Sequence, residues 1–207
     1  MNEQSLKPVI EKLEKLFSTF NKRFYNGELE TPVITVSPDT TSGAYGWCTS
    51  WKAWKKADQE DKEAGYYEIN ICAEHLTRSF KELCGTLLHE MVHLWNLQNN
   101  VKDTSRGGTY HNLKFKKEAE QRGLIIEQHH KYGWTITKLN EEAEQFIEQL
   151  NDTSFAIYRD SAAKIKAKKA SKQSSRKYVC PMCGLIIRAT KEVHVKCMDC
   201  DEELEEQ

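Results

Sequence analysis

Five consecutive residues, His89-Glu90-Met91-Val92-His93, restrict this chain more than any other feature. Two imidazoles four residues apart sit one helical turn from each other, so both can reach one metal ion only if the segment is an α-helix. The surrounding pattern predicts such a helix from Ser79 to Gln98. Cys84, Leu87, Leu88, Met91 and Trp95 gather on one side of it, and Glu82, Thr86, His89, His93 and Asn96 on the other. The helix is therefore expected to face a core on one side and a polar cleft on the other. Zinc suits a pair of neutral imidazoles and keeps a coordination position open for water. Glu90, beside the first ligand, is placed to take a proton from that water as a general base. The plain alternative is a chance match on an ordinary helix. The shared polar face of the two histidines argues against it.

A catalytic zinc site of this kind needs a third protein ligand. His111 is the first choice: it follows the Gly107-Gly108 break and is expected to open a helix from about Tyr110 to Arg122, stopped by Gly123. Glu118 and Glu120 are rivals as carboxylate ligands from that helix, and the adjacent His129 and His130 are further rivals. His75 reads as structural. Tyr110 and Tyr132 are candidates for stabilising an oxyanion, although tyrosines more often pack with a satisfied hydroxyl.

Cysteine usage defines a second module. Of seven cysteines, four form two CxxC pairs, Cys180/Cys183 and Cys197/Cys200, separated by thirteen residues. Four thiolates at this spacing make a closed, structural tetrahedral zinc site, and so short a segment needs the metal to fold. His194, near the second pair, is superfluous. Ahead of the module lie seven Lys or Arg and no acid between Lys164 and Lys177: Lys164, Lys166, Lys168, Lys169, Lys172, Arg176 and Lys177. This is a solvated linker or a stretch that lies along phosphates. The expected organisation is a main domain over 1–159, a basic linker over 160–177, a zinc ribbon over 178–201 and an acidic tail over 202–207.

The remaining elements follow from periodicity and turn residues. A helix is expected over Val9 to Tyr25 and ends at Asn26-Gly27. Short strands are expected at Val33 to Val36, Ala44 to Thr49, Tyr66 to Cys72 and Trp134 to Thr137, and a polar helix over Asn140 to Leu150. Trp47, Trp51 and Trp54, interleaved with Lys52, Lys55 and Lys56, are candidates for stacking on unpaired bases, or simply core and rim residues. Paired CxxC spacing with otherwise scattered cysteines reads as reduced thiols in an intracellular protein, cytoplasmic, or nuclear in a eukaryote. No signal-peptide layout opens the chain, and no apolar run approaches the roughly 20 residues of a membrane helix. The net charge of -1 names no partner.

The run from His89 through Gly107-Gly108-Thr109-Tyr110-His111-Asn112 to Phe115 resembles the SprT-like family, which includes the Spartan proteases. The likeness covers roughly Val9 to Cys200. It implies an α+β, zincin-like metalloprotease core with the HExxH helix packed on a small sheet, followed by a small zinc ribbon of four cysteines. It implies one catalytic zinc on His89, His93 and His111 with Glu90 as base, beside the structural zinc of the four cysteines. In the Spartan branch it also implies cleavage of proteins crosslinked to DNA. The expectation is therefore a monomeric zinc endopeptidase with a protein substrate and single-stranded or damaged DNA as partner. Two rivals stand beside it: a zinc-stabilised nucleic-acid-binding or regulatory protein whose HExxH metal is not catalytic, and a peptidase of small peptides using Glu118 or Glu120.

Overall fold

In the first helix, α1 (Lys7–Phe24), Val9, Leu13, Leu16, Phe17 and Phe20 recur every three or four residues, and all are buried. The helix ends where expected, with Asn26 and Gly27 both at positive φ. The computed structural model describes residues 5–39, 43–57, 64–160 and 175–207. The chain divides into two units, Met1–Asp160 and Ser161–Gln207.

The first unit has two small sheets. In one, β1 (Val33–Ser37) runs parallel to β3 (Glu68–Cys72), and β2 (Gly46–Cys48) pairs antiparallel on its other side, giving the order β1-β3-β2 with β2 at an edge. Ile69 and Ile71 of β3 are buried in the core. Next comes α2 (Phe80–Gln98), opened by a capping box: Ser79 accepts from the Glu82 N–H, and Glu82 accepts from the Ser79 N–H. More of α2 is enclosed than its amphipathic pattern predicts. Leu83, Val92 and Leu94 are buried along with Cys84, Leu87, Leu88 and Met91, and so are the polar Thr86, Glu90 and Asn96. The helix is central, and on its polar side His89 and His93 are half-buried.

The second sheet joins β4 (Thr104–Ser105), β5 (Tyr110–His111), β6 (Leu124–His129) and β7 (Gly133–Leu139) in the order β4-β5-β7-β6. Here the structure departs from expectation. Tyr110 and His111 do not begin a helix; they form a strand, and α3 (Leu113–Gln121) starts only after Asn112. The reason is local. The Asn112 side chain accepts from the N–H groups of Lys114 and Phe115, making it the N-cap. Sequence patterning predicts only the Trp134 to Thr137 part of the β6–β7 hairpin, because a bulge at Glu127/Gln128 interrupts its alternation. Gly133, at φ +75°, lets β7 approach β5 closely, since a Cβ there would strike the His111 carbonyl oxygen. Helix α4 (Glu141–Gln149) then seats Ala143 and Ile147 in the core.

The second unit is smaller. β8 (Arg176–Val179) pairs with β9 (Ile186–Ala189) and with β12 (Glu205–Glu206), while β10 (Lys196–Cys197) pairs with β11 (Glu202–Glu203). Two boundaries shift. Arg176 and Lys177, expected in the linker, are strand residues, and Arg176 bonds Glu206 at 3.0 Å. The acidic residues expected as a tail supply two strands, because Leu204 among them is buried beside Tyr178, Cys180 and Cys197. Lys164, Lys166, Lys168, Lys169 and Lys172 lie outside the described residues. Among the described residues, no helix is long and apolar enough to cross a membrane. The chain is thus a mixed α/β protein of small sheets with a cysteine cluster toward its C-terminus.

Candidate metal centre

His89 and His93 project from one side of α2 toward β5, which brings His111 to them. The Nε2 atom of His111 lies 3.2 Å from that of His89 and 3.0 Å from that of His93. Phe115 of α3, fully buried, packs its ring 4.6 to 4.7 Å from all three imidazole centroids and so forms a floor that limits their rotation.

The outer nitrogens show which atoms carry protons. Thr137 donates its hydroxyl to the Thr135 carbonyl at 3.1 Å, so at 2.7 Å its oxygen accepts from His89 Nδ1–H. The Asp103 carboxylate likewise accepts from His93 Nδ1–H at 2.7 Å. Both rings are then left with bare Nε2 lone pairs aimed at one point. His111 can offer one proton there at most, so one lone pair is unmet without a cation. Three nitrogens bound tetrahedrally to zinc at about 2.0–2.1 Å would lie about 3.3 Å apart, close to the spacing seen. The donor set fits zinc, and the Nδ1 partners have the arrangement that orients metal-bound histidines.

Electrostatics favour the neutral form at two of the three imidazoles. Burial holds His89 well below the usual histidine range, and burial pushes His111 down to about 4. Burial opposes the charged form of His93 as well, but the hydrogen bond and charge of Asp103 outweigh it and leave its pKa raised. Glu90 is buried, and that burial raises its carboxyl to about 7, with the Cys48 backbone N–H bonded to it and opposing the rise. A carboxyl titrating near neutrality exchanges protons readily in either direction.

The other candidates are engaged elsewhere. Glu118 pairs with Arg122 at 2.8 Å, and Glu120 with Lys116 at 3.6 Å. His129 packs on His130 and accepts from the N–H groups of Lys131 and Tyr132. His75 packs edge-on against Tyr45, the structural role expected of it. The Tyr110 ring carries the Arg106 guanidinium and that of Tyr132 stacks on His129. Trp51 is 64% exposed, Trp54 is also exposed, and Trp47 is half-buried. Sequence reasoning missed Asp103 and Thr137. Asp103 lies in a loop without a motif and Thr137 in a strand, so only tertiary folding brings them to the histidines.

In the second unit, the sulfurs of Cys180, Cys183, Cys197 and Cys200 all lie within 4.8 Å of one another, with Cys183 and Cys197 at 3.7 Å. Tetrahedral zinc with four thiolates at about 2.3 Å sets its sulfurs about 3.8 Å apart. The backbone N–H of Cys183, then that of Met182, holds the Cys180 thiol down to about 7, whereas the neighbouring Cys183 sulfur pushes the Cys200 thiol up to about 12, so a bound cation is what would let all four ionise together.

A sequence profile described as the SprT-like family matches residues 13–134, more than half the chain, and spans Glu90 and all three histidines. A comparison with curated proteins finds no match.

Proposed function

The chain belongs to the SprT-like family, and from that premise we propose that it is a zinc-dependent endopeptidase acting on DNA-associated or DNA-crosslinked proteins. The observation that carries the reading is the convergence of three Nε2 atoms beside a buried carboxylate. In this reading the first unit is a zincin-like core, with His89, His93 and His111 holding a catalytic zinc. The second is a zinc ribbon held by a structural zinc on its four cysteines.

Zinc, when bound, supplies Lewis-acid activation of water and of the substrate carbonyl. Glu90 takes the proton of the attacking water and later hands it to the leaving nitrogen. The Cys48 backbone N–H holds the Glu90 carboxylate in place during both transfers. Phe115 closes the inner side of the triad and keeps water from its back. Support for DNA as partner comes from the basic run beginning at Lys164 and from exposed Trp51 and Trp54, with Lys52 and Lys56 over neighbouring tyrosine rings.

The test is cleavage of a DNA-binding protein with and without single-stranded DNA. Wild type should cleave it, and Glu90→Gln should not while keeping two zinc ions per chain. His111→Ala should lose about one equivalent. Absence of cleavage by wild type under every DNA condition would overturn the protease reading in favour of a binding module.

A further inference from the structure

Asp103 is 6% exposed, and among the described residues its hydrogen bonds go to α2 and to the residue after His111. Its Oδ2 accepts from His93 Nδ1 at 2.7 Å and from Asn96 Nδ2 at 3.0 Å, both on α2. Its backbone carbonyl accepts from the N–H of Asn112, the residue after His111, at 2.9 Å. Asn112 also donates its side-chain amide to the Lys102 carbonyl at 2.9 Å, closing a second link across the same loop. One residue thus fixes the ring of a histidine on α2 and, through the backbone, the strand that carries a histidine from elsewhere in the chain. Among the described residues the partners differ in kind: a carboxylate on His93, a neutral hydroxyl on His89, and none on His111 Nδ1, which is buried without a hydrogen bond.

We propose that Asp103 is the positioning residue of the histidine metal centre: its carboxylate locks the His93 ring with Nε2 toward the ion, and its backbone ties His111 to the same frame. The inference rests on the metal reading of the three imidazoles. A carboxylate behind an imidazole strengthens the ring as a donor as well as orienting it. Its removal therefore weakens metal binding without needing to unfold the protein. Asn96 and the Asp103 backbone carbonyl do not substitute, since the first donates its amide to the Asp103 carboxylate and the second is already bonded to the Asn112 N–H.

Full-length Asp103→Asn is titrated with zinc against a competing chelator, reading the equivalent that His111→Ala removes. Affinity at that equivalent should fall roughly 10–100-fold, while the melting temperature of metal-stripped protein stays near that of stripped wild type. Cobalt substituted into the same equivalent should show an altered visible d–d spectrum. Asp103→Glu, which restores the charge, should recover part of the affinity lost. Wild-type affinity and spectrum in Asp103→Asn would overturn the proposal. So would a loss of melting temperature in stripped protein large enough to account for the weaker binding. If Asp103→Asn fails to fold, Asp103→Ser is read in its place, and failure of both makes Asp103 a structural residue and overturns the proposal. A failed metal reading looks different: wild type then holds no zinc that His111→Ala removes.

Discussion

At Gly46 a methyl group has nowhere to go. A Cβ built there lies 2.6 Å from the Asn70 carbonyl oxygen, 3.3 Å from Thr86 Cγ2 and 3.4 Å from Glu90 Cγ. The first neighbour is backbone of the adjoining strand, so β2 itself must move. The same short strand presents the Cys48 N–H to Glu90, and any shift also loosens the hold on that carboxylate. Gly46→Ala should therefore cost about 1–3 kcal/mol as overpacking does, and it should lower peptide hydrolysis while zinc content stays at the wild-type level. Denaturant unfolding and metal analysis on the same preparation check this, and full activity with unchanged stability would refute it. Burial makes a contrasting statement for Cys84 of α2, whose thiol it pushes up to about 12, so this cysteine stays protonated and inert at neutral pH.

At the scale of elements, the position of the histidines depends on how two helices begin. Ser79 and Glu82 start α2 with a reciprocal pair of bonds, and the Ser79 hydroxyl bonded to Glu82 holds that carboxyl below its usual range. A carboxyl with a lowered folded pKa binds its proton less tightly in the native state. Its contribution is complete above the unfolded value, about 4.3, and is lost as pH falls through the lower folded value. Ser79→Ala should cost about 1 kcal/mol at neutral pH, and the difference from wild type should shrink as the solution is acidified below about 4. Thermal melts across that range measure it; a difference independent of pH would contradict the account. Asn112 plays the corresponding part for α3, and by starting that helix only at Leu113 it leaves His111 on a strand.

The two units of the whole molecule differ in what holds them together. The first has a continuous core drawn from α1, α2 and both sheets. Among its described residues the second buries Tyr178, Leu204 and two of the four clustered cysteines, with little else. A core that small does not outweigh chain entropy, and under the zinc-ribbon reading proposed above metal binding would be the principal source of its folding free energy. Cys197→Ser, or a strong chelator, should abolish the structure of the second unit while the first still melts cooperatively. Heteronuclear NMR of the full chain reads the two sets of resonances separately. Persistence of the second unit's dispersed signals without metal would refute this.

What the amino-acid order determined by itself was local chemistry. The HExxH turn, the paired CxxC knuckles and the period of α1 and α2 each depend on spacing within a few residues, which helix and knuckle geometry make legible. The Gly107-Gly108 break pointed to His111, and the family resemblance agreed. Tertiary structure decided the rest. The competition between helix and strand at Tyr110–His111 was resolved by the Asn112 cap and by pairing with β7, and Asp103 and Thr137 reach the imidazoles only because a loop and a sheet close over α2. Hydrogen bonds of that kind join residues ten and forty-eight positions apart from their partners, and no periodicity along a chain encodes them.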